Sequence, residues 1–255
     1  MSSRPAISLQ RTALAATLPF ARVALVAVAA LATMGVLAFL GQPAGIAAAG
    51  SLSALYLLPV NVITLLVLRR VVHAEGATLR AMLGFDRARL GRDILWGLLW
   101  IMVLYVPFAG AIIGTMFALY GADTFVSFEA VFAPDVSELP QLGTVVSIVF
   151  AVMVVLSFAP LNAPTEELLF RGYSQPRLRG ALGILLPSFA FALQHVFFAS
   201  TAVGMLVLGV AFFVWGLGSA LIFRWQRRLM PLVVAHLVVN LFTSAPALIL
   251  PFVLS

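Results

Sequence analysis

Pro164-Thr-Glu-Glu-Leu-Leu-Phe-Arg-Gly172 closes a long apolar run, Val145 to Pro160, and sets two adjacent carboxylates and a guanidinium at its end. Apart from Arg171, Arg177 and Arg179, Glu166 and Glu167 are the only charged residues between Gln141 and Phe223. A charged side chain in hydrocarbon costs about 2.5–3.5 kcal/mol even on lenient insertion scales, so an intramembrane carboxylate points to function. Helical geometry divides the labour. Glu167 and Arg171 are four apart, the spacing at which opposite charges meet on one helix face. Glu166 lies about 100° around the helix and has no local cation. It is the residue expected to carry chemistry.

The composition is that of a membrane protein. Of 255 residues, 63% are hydrophobic and 9% charged, against about 25% charged in an ordinary soluble domain. The expected fold is all-α: one polytopic membrane domain of about seven transmembrane helices. All 15 basic residues are arginine, clustered in short loops as membrane orientation requires. No aromatic-interleaved basic patch stands out, so the expected partner is the lipid bilayer and not nucleic acid. The absence of cysteine rules out disulfides, thiolate metal sites and a thiol nucleophile.

Hydropathy divides the chain into spans and connectors. Met1 to Ala21 is polar to mixed, and Val23 to Leu40 is an uncharged run of spanning length. A signal peptide ending near Ala30-Leu-Ala32 is the alternative, although the run is long for one. Gly41-Gln-Pro43 reads as a turn, and a second span runs from Ala44 to Leu68 with a kink at Pro59-Val-Asn61. Arg69 to Asp93 is a connector with six arginines, of which Arg87, Arg89 and Arg92 suggest a surface-lying segment. Ile94 to Tyr120 is the third span, and Gly121 to Gln141 an acidic connector with no basic residue. The fourth span ends in the opening motif, a fifth and sixth must fit between Pro187 and Phe223, and Pro231 to Leu254 makes the seventh. Residues 1–93 form an N-terminal two-helix segment with its basic connector, and 94–255 the core, with the polar motifs inside 164–240. With the N-terminus cytoplasmic, connectors 69–93, 171–180 and 224–228 all fall inside and carry twelve arginines, while the acidic connector falls outside. No internal repeat is visible.

Two of the three histidines interrupt apolar helices: His195, closing Phe191-Ala-Leu-Gln-His195, and His236, opening His236-Leu-Val-Val-Asn240. His73, in the arginine-rich connector, reads as solvated. His236 and Asn240 share a helix face. His236 lies eight residues past Arg228, about 12 Å deep at 1.5 Å per residue. Glu166 and His195 flank the loop around residue 180 at about the same 12 Å. Three ionisable groups from three helices thus reach one level, a buried polar site near the cytoplasmic side. Glu166 with an imidazole could orient and deprotonate water, and His236 and Asn240 could donate to an oxyanion. The aspartates lie in connectors or at their edges, which argues against an aspartyl protease. A serine route through Ser219 in Gly216-Leu-Gly-Ser-Ala220 competes with close helix packing by the same glycines. Glu166, His195 and His236 are also a possible ligand set for a divalent metal such as zinc. Sequence leaves metal-held and glutamate-held water open.

Glu166-Glu-Leu-Leu-Phe-Arg171, Phe191-Ala-Leu-Gln-His195 and His236-Leu-Val-Val-Asn240 resemble, in order and spacing, the three motifs of the CPBP family. This is the CAAX-protease, bacteriocin-processing or abortive-infection group, which includes the type II CAAX prenyl proteases. The similarity covers roughly Val145 to Asn240. It implies an intramembrane endopeptidase in which Glu166 activates water, His195 assists, His236 and Asn240 stabilise the oxyanion, and Glu167 and Arg171 support the site. It also implies membrane-bound or lipidated protein and peptide substrates and a place in a bacterial plasma membrane. Rival readings are a proton-coupled carrier, in which Glu166 and His195 relay protons, and a non-catalytic immunity or scaffold protein.

Overall fold

Hydropathy starts the first membrane helix at Val23, but in the computed structural model of the chain helix α1 (Arg4–Phe39) runs back through Arg22 and Arg11 without a break. The structure describes residues 4–133 and 135–253, of which 4–8 and 245–253 by backbone alone. Arg22 is therefore not a flank of the span but a member of it, 2% exposed. A lone arginine ends an apolar run in a hydropathy count whether it faces water or a buried acid.

Helix α2 (Ile46–Ser51) and α3 (Ser53–Ala74) replace the single second span. The break falls at Leu52, and Pro59 stays inside α3. Helix α3 also takes in Arg69, Arg70 and His73, the last exposed. The arginine-rich connector then holds the short helix α4 (Leu79–Leu83), whose start Thr78 caps by accepting from the Ala81 amide and whose end is Gly84 in the left-handed region. Helix α5 (Leu90–Tyr120) is the third span, and α6 (Phe128–Phe132) lies in the acidic connector.

The fourth span is one rod, Thr144–Arg177. It comprises α7 (Thr144–Met153), a π-helical stretch (Val154–Phe158), α8 (Ala159–Glu167), a second π stretch (Leu168–Ser174) and α9 (Gln175–Arg177). Such stretches occur most often at functional sites. Helix α10 (Leu182–His195) begins before Pro187, the start that hydropathy suggests, which eases the tight fit of the fifth and sixth spans. Helices α11 (Ala202–Gln226) and α12 (Met230–Val253) complete the bundle. The expected end of the seventh span, Leu254, lies outside the described residues.

Among the described residues, five helices are long and apolar enough to cross a membrane, and two apolar helices are shorter. The protein is an all-helical, polytopic membrane protein. Side-chain contacts sort its connectors into two ends. Arg177 of the 171–180 loop pairs with Glu75, and Arg228 pairs with Asp93, so the three arginine-rich connectors meet. At the other end Gln42 accepts from the Gln141 amide and Thr201 donates to the Val131 carbonyl.

One large apolar cluster joins α3, α5, the second π stretch, α10, α11 and α12 through Leu68, Leu104, Phe170, Phe191, Trp215 and Leu232. Glycines let these helices approach closely. A Cβ on Gly216 would stand 3.1 Å from the Ser188 backbone, which gives the Gly216–Ala220 run its packing role. One on Gly97 would stand 2.6 Å from Val234 Cγ1 and 2.9 Å from the Pro231 carbonyl oxygen. Gly97→Val is expected to cost about 1–3 kcal/mol by overpacking the α5–α12 contact, read as a lower thermal midpoint in detergent. Gly110→Val, where a Cβ meets nothing within 4 Å, should leave the midpoint in place.

Candidate active site

Glu166 and Glu167 end α8 at the centre of the bundle, 0% and 1% exposed. Burying a carboxylate demands a partner, and each has its own. Arg171 Nη1 lies 3.2 Å from Glu167 Oε1, as the four-residue spacing requires. The same guanidinium stands over the Phe191 ring at 4.4 Å from its centre and donates to the Gly216 carbonyl. For Glu166 the cation arrives from 144 positions away: Arg22 Nη2 lies 3.0 Å from Glu166 Oε1.

Arg22 is held by neutral acceptors as well. Its Nε donates to Gln194 Oε1 at 2.7 Å, Nη1 to Thr64 Oγ1 at 3.0 Å, and Nη2 to Asn61 Oδ1 at 2.8 Å and Asn162 Oδ1 at 3.3 Å. Helices α1, α3, α8 and α10 are thus joined through one side chain.

The other oxygen of Glu166 looks elsewhere. Oε2 is buried without a hydrogen-bond partner. His195 Nε2 faces it at 3.9 Å and His236 Nε2 at 3.7 Å. The structure brings Glu166, His195 and His236 together. Partners on the far side of each ring fix its orientation. His195 Nδ1 lies 2.6 Å from the Phe191 carbonyl, which can only accept, so Nδ1 carries a proton and, in the neutral ring, Nε2 has the lone pair. His236 Nδ1 lies 3.0 Å from Glu167 Oε1 and is oriented in the same way. Phe212 stacks on the His195 ring, centres 3.9 Å apart. Glu167 therefore does more than pair with Arg171: it bridges that cation to His236.

Next to these groups is a cavity of about 350 Å³. Phe158, Phe198, Phe212 and Trp215 give it apolar walls, and Asn162, His195, His236 and Asn240 place polar groups on them. Asn240 Nδ2 is buried there with no hydrogen-bond partner among the described residues, a donor awaiting an acceptor. The hollow extends past Ser51 of α2, Ser53 of α3 and Phe150 of α7, toward the end that carries the acidic connector. The carboxylates lie nearer the arginine-rich end: Glu166 is eleven residues short of Arg177 on a rod starting at Thr144.

A divalent metal does not fit this arrangement well. Ligands of tetrahedral zinc sit about 2.0–2.1 Å from the ion and hence roughly 3.3 Å from one another. Among the described residues no group of three His, Cys, Asp or Glu side chains stands close enough to hold a metal. The Arg22 cation already occupies the second oxygen of the carboxylate.

Arg22, Asn61, Thr64, Asn162 and Gln194 escape a motif-based reading. A signal existed for Arg22: it sits between Leu14-Ala-Ala-Thr-Leu-Pro-Phe-Ala21 and Val23-Ala-Leu-Val26, and a buried Glu166 with no cation in its own helix must find one elsewhere.

Residues 145–242 match the family model described as Rce1-like, type II CAAX prenyl endopeptidase Rce1-like. No curated protein and no solved structure matches the chain. At the level of the family, the match supports an intramembrane protease of the CAAX type. Breaking a buried ion pair by removing one partner costs about 3–5 kcal/mol. Arg171→Leu should therefore lower the unfolding midpoint strongly, whereas Arg89→Ala, in an exposed pair with Asp86, should leave it unmoved in the same melt.

Proposed function

Taking residues 145–242 as an Rce1-like segment, we propose that the protein is an intramembrane endopeptidase that cleaves membrane-associated or lipidated peptides with water activated by Glu166. The observation that carries this reading is the convergence of Glu166 Oε2 with two imidazole Nε2 atoms on the wall of an aromatic chamber. At 3.7 and 3.9 Å these atoms stand beyond hydrogen-bonding distance, and one water beside them, donating to Glu166 Oε2 and His195 Nε2, would link carboxylate and imidazole.

The reaction then proceeds as general-base hydrolysis. Water held by Glu166 Oε2 and His195 Nε2 attacks the scissile carbonyl carbon, and its proton passes to Glu166 Oε2. The carbonyl π electrons move to oxygen, and the resulting oxyanion accepts hydrogen bonds from Asn240 Nδ2 and from the His236 imidazole. Glu167 at His236 Nδ1 holds the ring in that orientation. Collapse of the intermediate breaks the C–N bond. The proton on Glu166 goes to the leaving nitrogen, giving a carboxylic acid and an amine. The chamber suits apolar side chains or a lipid chain next to the cut, and a bacterial plasma membrane is the setting this reading favours.

Comparative membrane proteomics of cells carrying wild type or Glu166→Gln is expected to reveal a peptide bond cut only by the wild type. On that substrate His195→Ala and His236→Ala should each lower kcat by about 10²–10⁴, and Asn240→Ala by about 10²–10³. His73→Ala should cleave normally. Cleavage at full rate by Glu166→Gln would falsify the proposal. Chelation of the purified enzyme should leave the rate unchanged. A loss reversed by added zinc would replace the metal-free water with a metal-held one, leaving the need for Glu166 intact.

A further inference from the structure

We propose that Arg22 is a positioning residue of this active site: it holds Glu166 as an ionised carboxylate with Oε1 tied down and Oε2 presented to the water. The N-terminal helix α1 is then part of the catalytic apparatus, although it lies outside the matched segment 145–242. The inference rests on the hydrolase reading above and adds a residue to it.

Charge sets the first requirement. Glu167 is neutralised by Arg171, its neighbour one turn on. Glu166 faces two imidazoles, and His195 is fixed with its lone pair toward the carboxylate. Arg22 is the only fixed cation hydrogen-bonded to Glu166 among the described residues. A carboxylate without such a partner in a low-dielectric interior is held as the neutral acid, and a neutral acid cannot take the proton that hydrolysis must remove from water.

Geometry sets the second. Of the five acceptors around the guanidinium, Glu166 alone is anionic, and the other four fix the fork in place. Thr64 donates its own hydroxyl proton to the Val60 carbonyl at 2.7 Å, which leaves its oxygen free to accept from Arg22. Gln194 immediately precedes His195. One guanidinium therefore holds both Glu166 Oε1, through Nη2, and the end of the His195 helix, through Nε to Gln194. Lysine would supply the charge without the planar fork. A residue serving only to join helices would not need the anion among its partners, nor a second carboxylate oxygen left facing two imidazoles.

The test uses the full chain in nanodiscs and two readouts. The first is labelling of Glu166 by dicyclohexylcarbodiimide, an apolar reagent for protonated carboxyl groups, followed by mass spectrometry. The second is the kcat and KM for a farnesylated CAAX peptide. Arg22→Gln is expected to raise Glu166 labelling about tenfold or more, the effect of losing an opposite charge at contact distance. It should also lower kcat by about 10²–10³ with KM little changed. Arg22→Lys should keep labelling near the wild-type level and give a kcat between the two. Should Arg22→Gln fail to fold, Arg22→Lys decides: wild-type kcat with wild-type labelling overturns the role of the fork. Wild-type labelling and turnover in folded Arg22→Gln overturn the proposal outright. Labelling needs no substrate, so failure of the wild type to cut the peptide counts against the protease reading while the labelling arm still judges Arg22.

Discussion

Two carboxylates buried side by side in an apolar bundle can persist only if each is neutralised, and the fold is arranged around that demand. Glu167 takes Arg171 from its own helix, a pairing available wherever the two stand one turn apart. Glu166 points the other way and has to be met from another element. The cation comes from α1, which must then carry an arginine far into an apolar helix and surround it with amide and hydroxyl oxygens from α3, α8 and α10. Burial of an ion is tolerable only when its remaining hydrogen-bonding capacity is also filled. Asn61, Thr64, Asn162 and Gln194 fill it, which gives these polar residues on otherwise apolar helices a common cause.

The pairing leaves each carboxylate with one oxygen engaged by its arginine and one without a hydrogen bond. On Glu167 the arginine-bound oxygen also orients His236. On Glu166 the free oxygen meets both imidazoles at the chamber wall. The carboxylates lie toward the arginine-rich end, while the hollow extends toward the acidic one. Under the proposed hydrolysis a substrate segment would enter through this hollow, with the Glu75–Arg177 pair at the opposite end.

Much of this is legible in the sequence, for identifiable reasons. The helical bundle follows from the spacing of arginines and turn residues, and the meeting of Glu166, His195 and His236 from their similar distances to the basic loops. The Glu167–Arg171 pair follows from a four-residue interval. What is not legible depends on partners remote in sequence. Arg22 looks like an interface arginine because hydropathy counts its charge and cannot see Glu166. Asn61 looks like part of a proline kink, whereas its amide oxygen serves Arg22 and the real break is at Leu52. The start of α10 at Leu182 depends on Gly183, where a Cβ would come within 2.7 Å of the Gln175 carbonyl oxygen, a contact that hydropathy does not record.

The two π-helical stretches on either side of α8 carry a constraint of their own. Each widens its turn, so the angle between the helices on its two sides depends on how many residues it contains. A π turn closes i→i+5 rings where an α turn closes i→i+4, so the number of residues between Leu168 and Ser174 sets how Arg177 meets Glu75 and how Gln175 reaches the Ala220 carbonyl. The residue count of this rod is as strict a requirement as the identity of its acids, and insertions or deletions there should be far less tolerable than substitutions of the apolar side chains around them.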